Sequence, residues 1–123
     1  MNSKAKGDIG VGQAICYYTI NGVEVLLPIG DKKPYDLVID RDEQLLKVQV
    51  KYTSCKNKTG NFRADLRITG GNQSFKTAKH YEDKDFDLCF VYTSEGDCYE
   101  IPFEILFKNS VTLCGKYDQY KIS

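Results

Sequence analysis

Residues 34–51, PYDLVIDRDEQLLKVQVK, constrain the fold of this chain more tightly than any other stretch. They read as two short strands, YDLVID and LLKVQVK running on into Tyr52 and Thr53, joined by a tight polar turn at RDEQ. Side chains alternate between the two faces of a strand. Tyr35, Leu37 and Ile39 therefore point one way, and Asp36, Val38 and Asp40 the other. On the second strand Val48 and Val50 share one face, while Lys47, Gln49 and Lys51 share the opposite one. Folding back through the turn brings Asp36 level with Gln49 and Lys51. A carboxylate, an amide oxygen and an ammonium then converge on one sheet face.

That set has a chemistry. A carboxylate and an amide oxygen can hold Mg²⁺. The ion can polarise a phosphodiester and lower the pKa of a bound water. A neighbouring lysine can orient that water or stabilise the negative charge that builds on the phosphate. The same residues also suit a plain solvated face, with Asp36 and Lys51 as a surface pair worth under about 1 kcal/mol.

The rest of the chain gives these strands a setting. Its 123 residues fit one domain, 1–123, long enough to bury a core without staples. Residues 4–20 read as a helix, with Ser3 as its N-cap and Asn21-Gly22 at its end. VEVLLPI is a strand ahead of the pair, FRADLRI one after it, and SFKTAKHYED (74–83) a helix. FDLCFVYT is an apolar inner strand, CYEIP pairs back on it at an edge, and FEILF makes a helical turn. This order implies an α/β or α+β layer, with helices packed on a central mixed β-sheet.

Seventeen acids balance seventeen bases, which argues against a strongly basic nucleic-acid binder but permits a local patch. Lys56, Lys58, Arg63, Arg67 and Lys76 form such a patch and suit contact with DNA phosphates. Arg63, Asp65 and Arg67 alternate on one strand face, as a strand entering a DNA groove would require. The five cysteines include no C-x-x-C pair and read as reduced, in a cytoplasmic protein, with Cys16 and Cys89 in the core. No apolar run approaches the roughly 20 residues of a membrane helix.

The order PYD at 34–36 and QVK at 49–51 resembles the signature of PD-(D/E)XK nucleases, and in particular the small homing endonucleases encoded in bacterial group I introns. KGDIGVGQAI, VLLPIGDKKPYDLVID, LLKVQVKYT, RITGGN and DLCFVYTSEGDCYEIP extend the likeness over most of the chain. The resemblance implies a restriction-endonuclease-like core and Mg²⁺-dependent cleavage of double-stranded DNA. In it Asp36 is the metal carboxylate, Gln49 stands at the usual Asp or Glu position, and Lys51 is the catalytic lysine. Many members carry a glutamate in the first helix where this chain has Val11. Asp8, one turn earlier, is the candidate to supply that carboxylate as a third metal ligand, though an acid is equally at home near a helix start. Two readings stand beside a site-specific nuclease: a catalytically silent DNA-binding module of the same fold, and a junction resolvase. One site per chain cuts one strand, so a double-strand break implies a homo-oligomer, for which residues 99–107, Tyr117 and Tyr120 offer apolar and aromatic surface.

Overall fold

The computed structural model describes residues 2–30, 32–68, 79–80, 85–106 and 110–122. Helix α1 (Ser3–Ile20) is followed by strands β1 (Glu24–Leu26), β2 (Leu37–Arg41), β3 (Gln44–Thr53), β4 (Arg63–Asp65), β5 (Arg67–Ile68), β6 (Lys79–His80), β7 (Leu88–Thr93) and β8 (Cys98–Pro102). A short 3-10 helix (Phe103–Ile105), strand β9 (Ser110–Thr112) and a second 3-10 helix (Gly115–Tyr120) complete the chain.

The expected meander is present. β1, β2 and β3 pair antiparallel, and the sheet continues through β7 to β8 in the order β1-β2-β3-β7-β8. Only β3 and β7 run parallel, so the sheet is mixed, with β7 inside and β8 at the edge. The turn from β2 to β3 places Asp42 and Glu43 both at positive φ, 53° and 65°. Two consecutive left-handed residues match the twist of the flanking strands, as in a type I′ hairpin.

Two cores lie on opposite faces of this sheet. On one, Ala14 and Tyr18 of α1 pack on Leu37, Ile39, Val48, Val50, Phe90 and Cys98. On the other, Cys89, Val91, Tyr99 and Ile101 pack under Phe62, Ala64, Leu66, Val111, Leu113 and Tyr117. Strand β3 is thus covered on both sides, and its pleat sends Val48 and Val50 to the helix while Gln49 and Lys51 face the other way. The helix sits close because residue 10 is glycine: a Cβ there would lie 3.1 Å from Val50 Cγ1 and 3.5 Å from Tyr52 Cβ.

Several expectations change. The helix is capped by Asn2, whose side chain accepts from the Ala5 N–H at 2.8 Å, and Ser3 is its first residue. The strand expected over 62–68 breaks at Leu66, which turns into the core; β4 pairs with β9 and β5 with β6. Arg63, Asp65 and Arg67 therefore do not lie on one continuous strand. Of the helix expected over 74–83, Lys79 and His80 are extended and the other residues lie outside those described. Cys16 is exposed, because it falls on the outer side of α1, whereas Cys89 is fully buried. The surface expected for oligomer contact is partly consumed within the monomer: Tyr99, Ile101 and Tyr117 belong to its own core. Among the described residues, the large apolar side chains left exposed are instead Ile20, Leu26, Leu27, Ile29 and Leu45, on and around the β1 edge.

One polar lock ties the helix face together. Glu100 on β8 accepts from Tyr18 Oη at 2.7 Å and from both terminal nitrogens of Arg41 at 2.8 and 3.0 Å. Arg41 also lies over the Tyr18 ring, 5.7 Å from its centroid. Burial alone would raise the Glu100 pKa, but the hydrogen bonds from Arg41 and Tyr18 and the Arg41 charge outweigh it and hold it below the ordinary value. A depressed carboxylate stabilises the fold above its unfolded pKa and loses that contribution as pH falls through the folded one. Thermal melts are therefore expected to show stability falling once the pH drops below the ordinary glutamate value of 4.5. Arg41→Ala, which leaves a largely buried carboxylate without its cation, is expected to cost about 3 kcal/mol in urea unfolding at neutral pH.

Candidate active site

The catalytic geometry begins where β2 ends. Leu37 is opposite Val48 and Val38 opposite Lys47, so continuing the register sets Asp36 opposite Gln49. There the backbone leaves the ladder: the Asp36 N–H donates to the Val48 carbonyl at 2.9 Å. The Val50 N–H, past the end of β2, donates to Asp36 Oδ2 at 2.7 Å. Gln49 Nε2 donates to the same oxygen at 2.9 Å and to the Val50 carbonyl at 3.2 Å. Both partners of the amide nitrogen are acceptors, which fixes the amide orientation and turns Oε1 away from Asp36.

Two oxygens remain for a ligand. Asp36 Oδ1 and Gln49 Oε1 have no partner among the described residues, and no buried side-chain nitrogen or oxygen there lacks one, so both oxygens reach the surface. They are hard donors of the kind Mg²⁺ takes, and Mg²⁺ needs few protein ligands when a phosphate completes its shell. The donor set fits the divalent metal that PD-(D/E)XK nucleases typically use.

Electrostatics tune the carboxylate. Burial pushes the Asp36 pKa above the ordinary value, and the Val50 N–H and the Lys51 charge pull against that rise. Lys51 is half-buried on the same face of β3. Beneath them Cys89, opposite Gln49 across the parallel pair, closes the floor of the site. Its thiol is pushed up to about 12 by burial, with Lys51 opposing and Asp36 adding to the rise, which makes it inert packing.

Asp36, Gln49 and Lys51 are thus brought together as the sequence pattern requires. Asp8 is not brought to them by any contact among the described residues. It is exposed on α1, which packs on the other face of the sheet, and its carboxylate lies 3.9 Å from Lys4. Val11 is packed against the helix-side core. Among the described residues no three of His, Cys, Asp and Glu cluster as a metal site, so a metal here relies on the amide. Of the basic residues, Lys58 is exposed in the turn before β4, and Lys56 pairs with Glu95 at 2.6 Å and lies 4.8 Å from the Phe62 ring centroid. Arg63 is exposed on β4, Arg67 falls on β5, and Lys76 lies outside the described residues. Sequence reasoning missed Lys6, which joins Tyr52, Thr53, Ser54, Cys55, Arg63 and Asp65 around an open groove of about 300 Å³ beyond Lys51. It also missed β9, although the alternation Ser110-Val111-Thr112-Leu113 signals a half-buried strand.

A carboxylate, an amide and a lysine lie together on one face of a paired strand, beside a helix-backed mixed sheet, which is the arrangement expected of a PD-(D/E)XK nuclease. The sequence profile of the PD-(D/E)XK endonucleases matches residues 1–120, and the chain belongs to that family. Among solved structures it is similar to a bacterial homing endonuclease, I-Ssp6803I, with 32% identity and a TM-score of 0.86, covering 98% of this chain and 89% of that one. No curated protein matches it significantly.

The raised pKa of Asp36 has a consequence for stability. A carboxyl whose folded pKa lies above its unfolded value costs nothing when neutral in both states and destabilises the fold as pH rises through the folded pKa. Asp36→Asn keeps an oxygen for Val50 and removes the buried charge. It is expected to abolish cleavage while melting above the wild type at pH 7, with the difference vanishing as the pH falls below the ordinary aspartate value of 3.8. Paired activity assays and melts across that range check it.

Proposed function

We propose that this endonuclease is a site-specific DNA nuclease of the homing type, which hydrolyses phosphodiesters with Mg²⁺ and makes a double-strand break as a homo-oligomer. The observation that carries the reading is the Asp36–Gln49 bond of 2.9 Å on the face that bears Lys51, in a chain of the endonuclease family. DNA as substrate is supported by the likeness to I-Ssp6803I.

Asp36 Oδ1 and Gln49 Oε1 would hold the Mg²⁺. Bound there, the ion supplies a polarised phosphorus–oxygen bond and a water of lowered pKa. Lys51 contributes a fixed positive charge where negative charge builds on the phosphate, and its N–H groups hold the attacking water in line. Gln49 matters through the charge it lacks. A second carboxylate 2.9 Å from Asp36 would drive one of the pair to stay protonated. With glutamine, Asp36 has no second carboxylate beside it, the Val50 N–H and Lys51 favour its charged form, and the scissile phosphate would bring the charge that completes a metal site. Lys56 and Lys58 contact flanking phosphates, with Lys56 exchanging Glu95 for the DNA.

A plasmid library with random inserts, incubated with Mg²⁺ and sequenced at its cut ends, tests the chemistry. Wild-type protein is expected to yield defined ends, and Lys51→Ala to cut at least about 100-fold more slowly, the scale of losing one electrostatic stabiliser. Binding in Ca²⁺ should change only a few-fold in that variant. Binding without cutting by the wild type would indicate a silent module, and cutting confined to branched DNA a resolvase.

The oligomer follows from the stereochemistry of the break. One site cuts one strand, and two strands of opposite polarity call for two sites related by a two-fold axis. The exposed Leu26, Leu27, Ile29 and Leu45 around the β1 edge supply apolar area for the contact. Light scattering at micromolar concentration should report at least a dimer; a strict monomer, free and on DNA, that still makes double-strand breaks would refute the argument.

A further inference from the structure

Past Lys51 the catalytic strand leads into a second surface. The Thr53 hydroxyl donates to the Arg63 carbonyl at 2.5 Å, and the Arg63 N–H donates to the Cys55 carbonyl at 2.9 Å. These bonds moor β4 two residues beyond Lys51. Across the β4–β9 pair, Arg63 is opposite Thr112 and Asp65 opposite Ser110. Directly opposed residues share a face. Ala64 and Val111, opposite each other, are both buried, so the outer face of the ribbon presents Arg63, Asp65, Ser110 and Thr112. Every side chain on that face can make hydrogen bonds. Arg63 Nε donates to Ser110 Oγ at 3.1 Å, which fixes the guanidinium, and its two terminal nitrogens have no partner among the described residues.

We propose that the β4–β9 ribbon is the base-reading element of this enzyme, with Arg63, positioned by Ser110, presenting its two terminal nitrogens to O6 and N7 of a guanine in the major groove. The inference rests on the nuclease reading above and adds the residue that selects sequence. The major groove admits a two-stranded β-ribbon, and the arginine fork matches the two acceptors on guanine. Lys6, across the groove from the ribbon, supplies the cation for the adjoining backbone. Two residues along a strand span about 7 Å, and successive base pairs rise about 3.4 Å, so the offset corresponds to about two base pairs and the base read lies near the cut.

Selection of bound sequences from a randomised duplex library in Ca²⁺ tests this, with wild-type protein, Arg63→Ala, Arg63→Lys and Lys58→Ala, each checked by its melting curve. The wild type should enrich a fixed guanine near the cleavage position. Arg63→Ala and Arg63→Lys should both flatten the preference at that one position and weaken binding to the best sequence by roughly 5- to 100-fold. Lysine keeps the charge but lacks the fork. Lys58→Ala should weaken all sequences alike and leave the motif unchanged. If Arg63→Lys keeps the wild-type motif and affinity, Arg63 touches a phosphate and the proposal is overturned; an unchanged motif in both Arg63 variants overturns it as well. A wild type that binds but enriches no sequence overturns the site-specific reading itself, a result distinguished by the missing wild-type motif.

Discussion

The site depends on one hydrogen bond, from the Val50 N–H to Asp36 Oδ2. Strand β3 outruns β2 at this end of the sheet, and Val50 is left without a backbone carbonyl on that side. A buried N–H in that position is costly unless something accepts from it. The Asp36 carboxylate does so, and in doing so is held at a fixed point over the strand. Its neighbours follow from the pleat: Gln49 reaches the same oxygen, and Lys51 projects from the same face. The end of a strand pairing is the start of the candidate site.

Two partly buried carboxylates show how differently the fold treats structure and chemistry. Glu100, on the helix side, is surrounded by donors and held charged at a depressed pKa by Arg41 and Tyr18. Asp36, on the other side, has its pKa raised by burial that its donors do not fully offset. The first is a clamp among α1, β2 and β8 that stabilises the native state. The second is a charge the protein holds at a cost, and a cation brought to the remaining oxygen relieves that cost. The sheet separates the two: the lock lies on the helix side, and Asp36 lies at the end of β2 on the side of the second core.

The same division explains what the sequence discloses. The period-two alternation of residues 36–51 specifies the meander, the faces and the Asp36–Gln49–Lys51 group, because a one-residue slip would bury Lys51 under the helix; Tyr35, expected beside Leu37 and Ile39, precedes β2 and packs on the opposite core. Asn21-Gly22 ends the helix in the sequence and in the structure, where Gly22 takes φ +76°. The second layer is hidden because its strands are three residues or fewer and their partners are distant. β4 pairs with a strand 47 residues away from Arg63 to Ser110, and nothing local in FRADLRI signals the break at Leu66. Cys16 misleads for a simpler reason, since an apolar neighbourhood in sequence does not say which side of a helix faces out.

Net charge misleads in an instructive way. Seventeen acids against seventeen bases describe a neutral chain, and the pairs Glu100–Arg41, Glu95–Lys56, Asp97–Lys121 and Asp8–Lys4 each take one of either sign, so they leave that balance unchanged. What a DNA backbone meets is local, and around the groove past Lys51 it meets Lys6 and Arg63 with one acid, Asp65. A protein with little surplus charge gains little from counterion release per chain. On the proposed reading, affinity for a duplex would then draw on base contacts and on a second copy of the module. That balance favours discrimination over grip, because a weak non-specific hold leaves the direct contacts to decide where the enzyme stays.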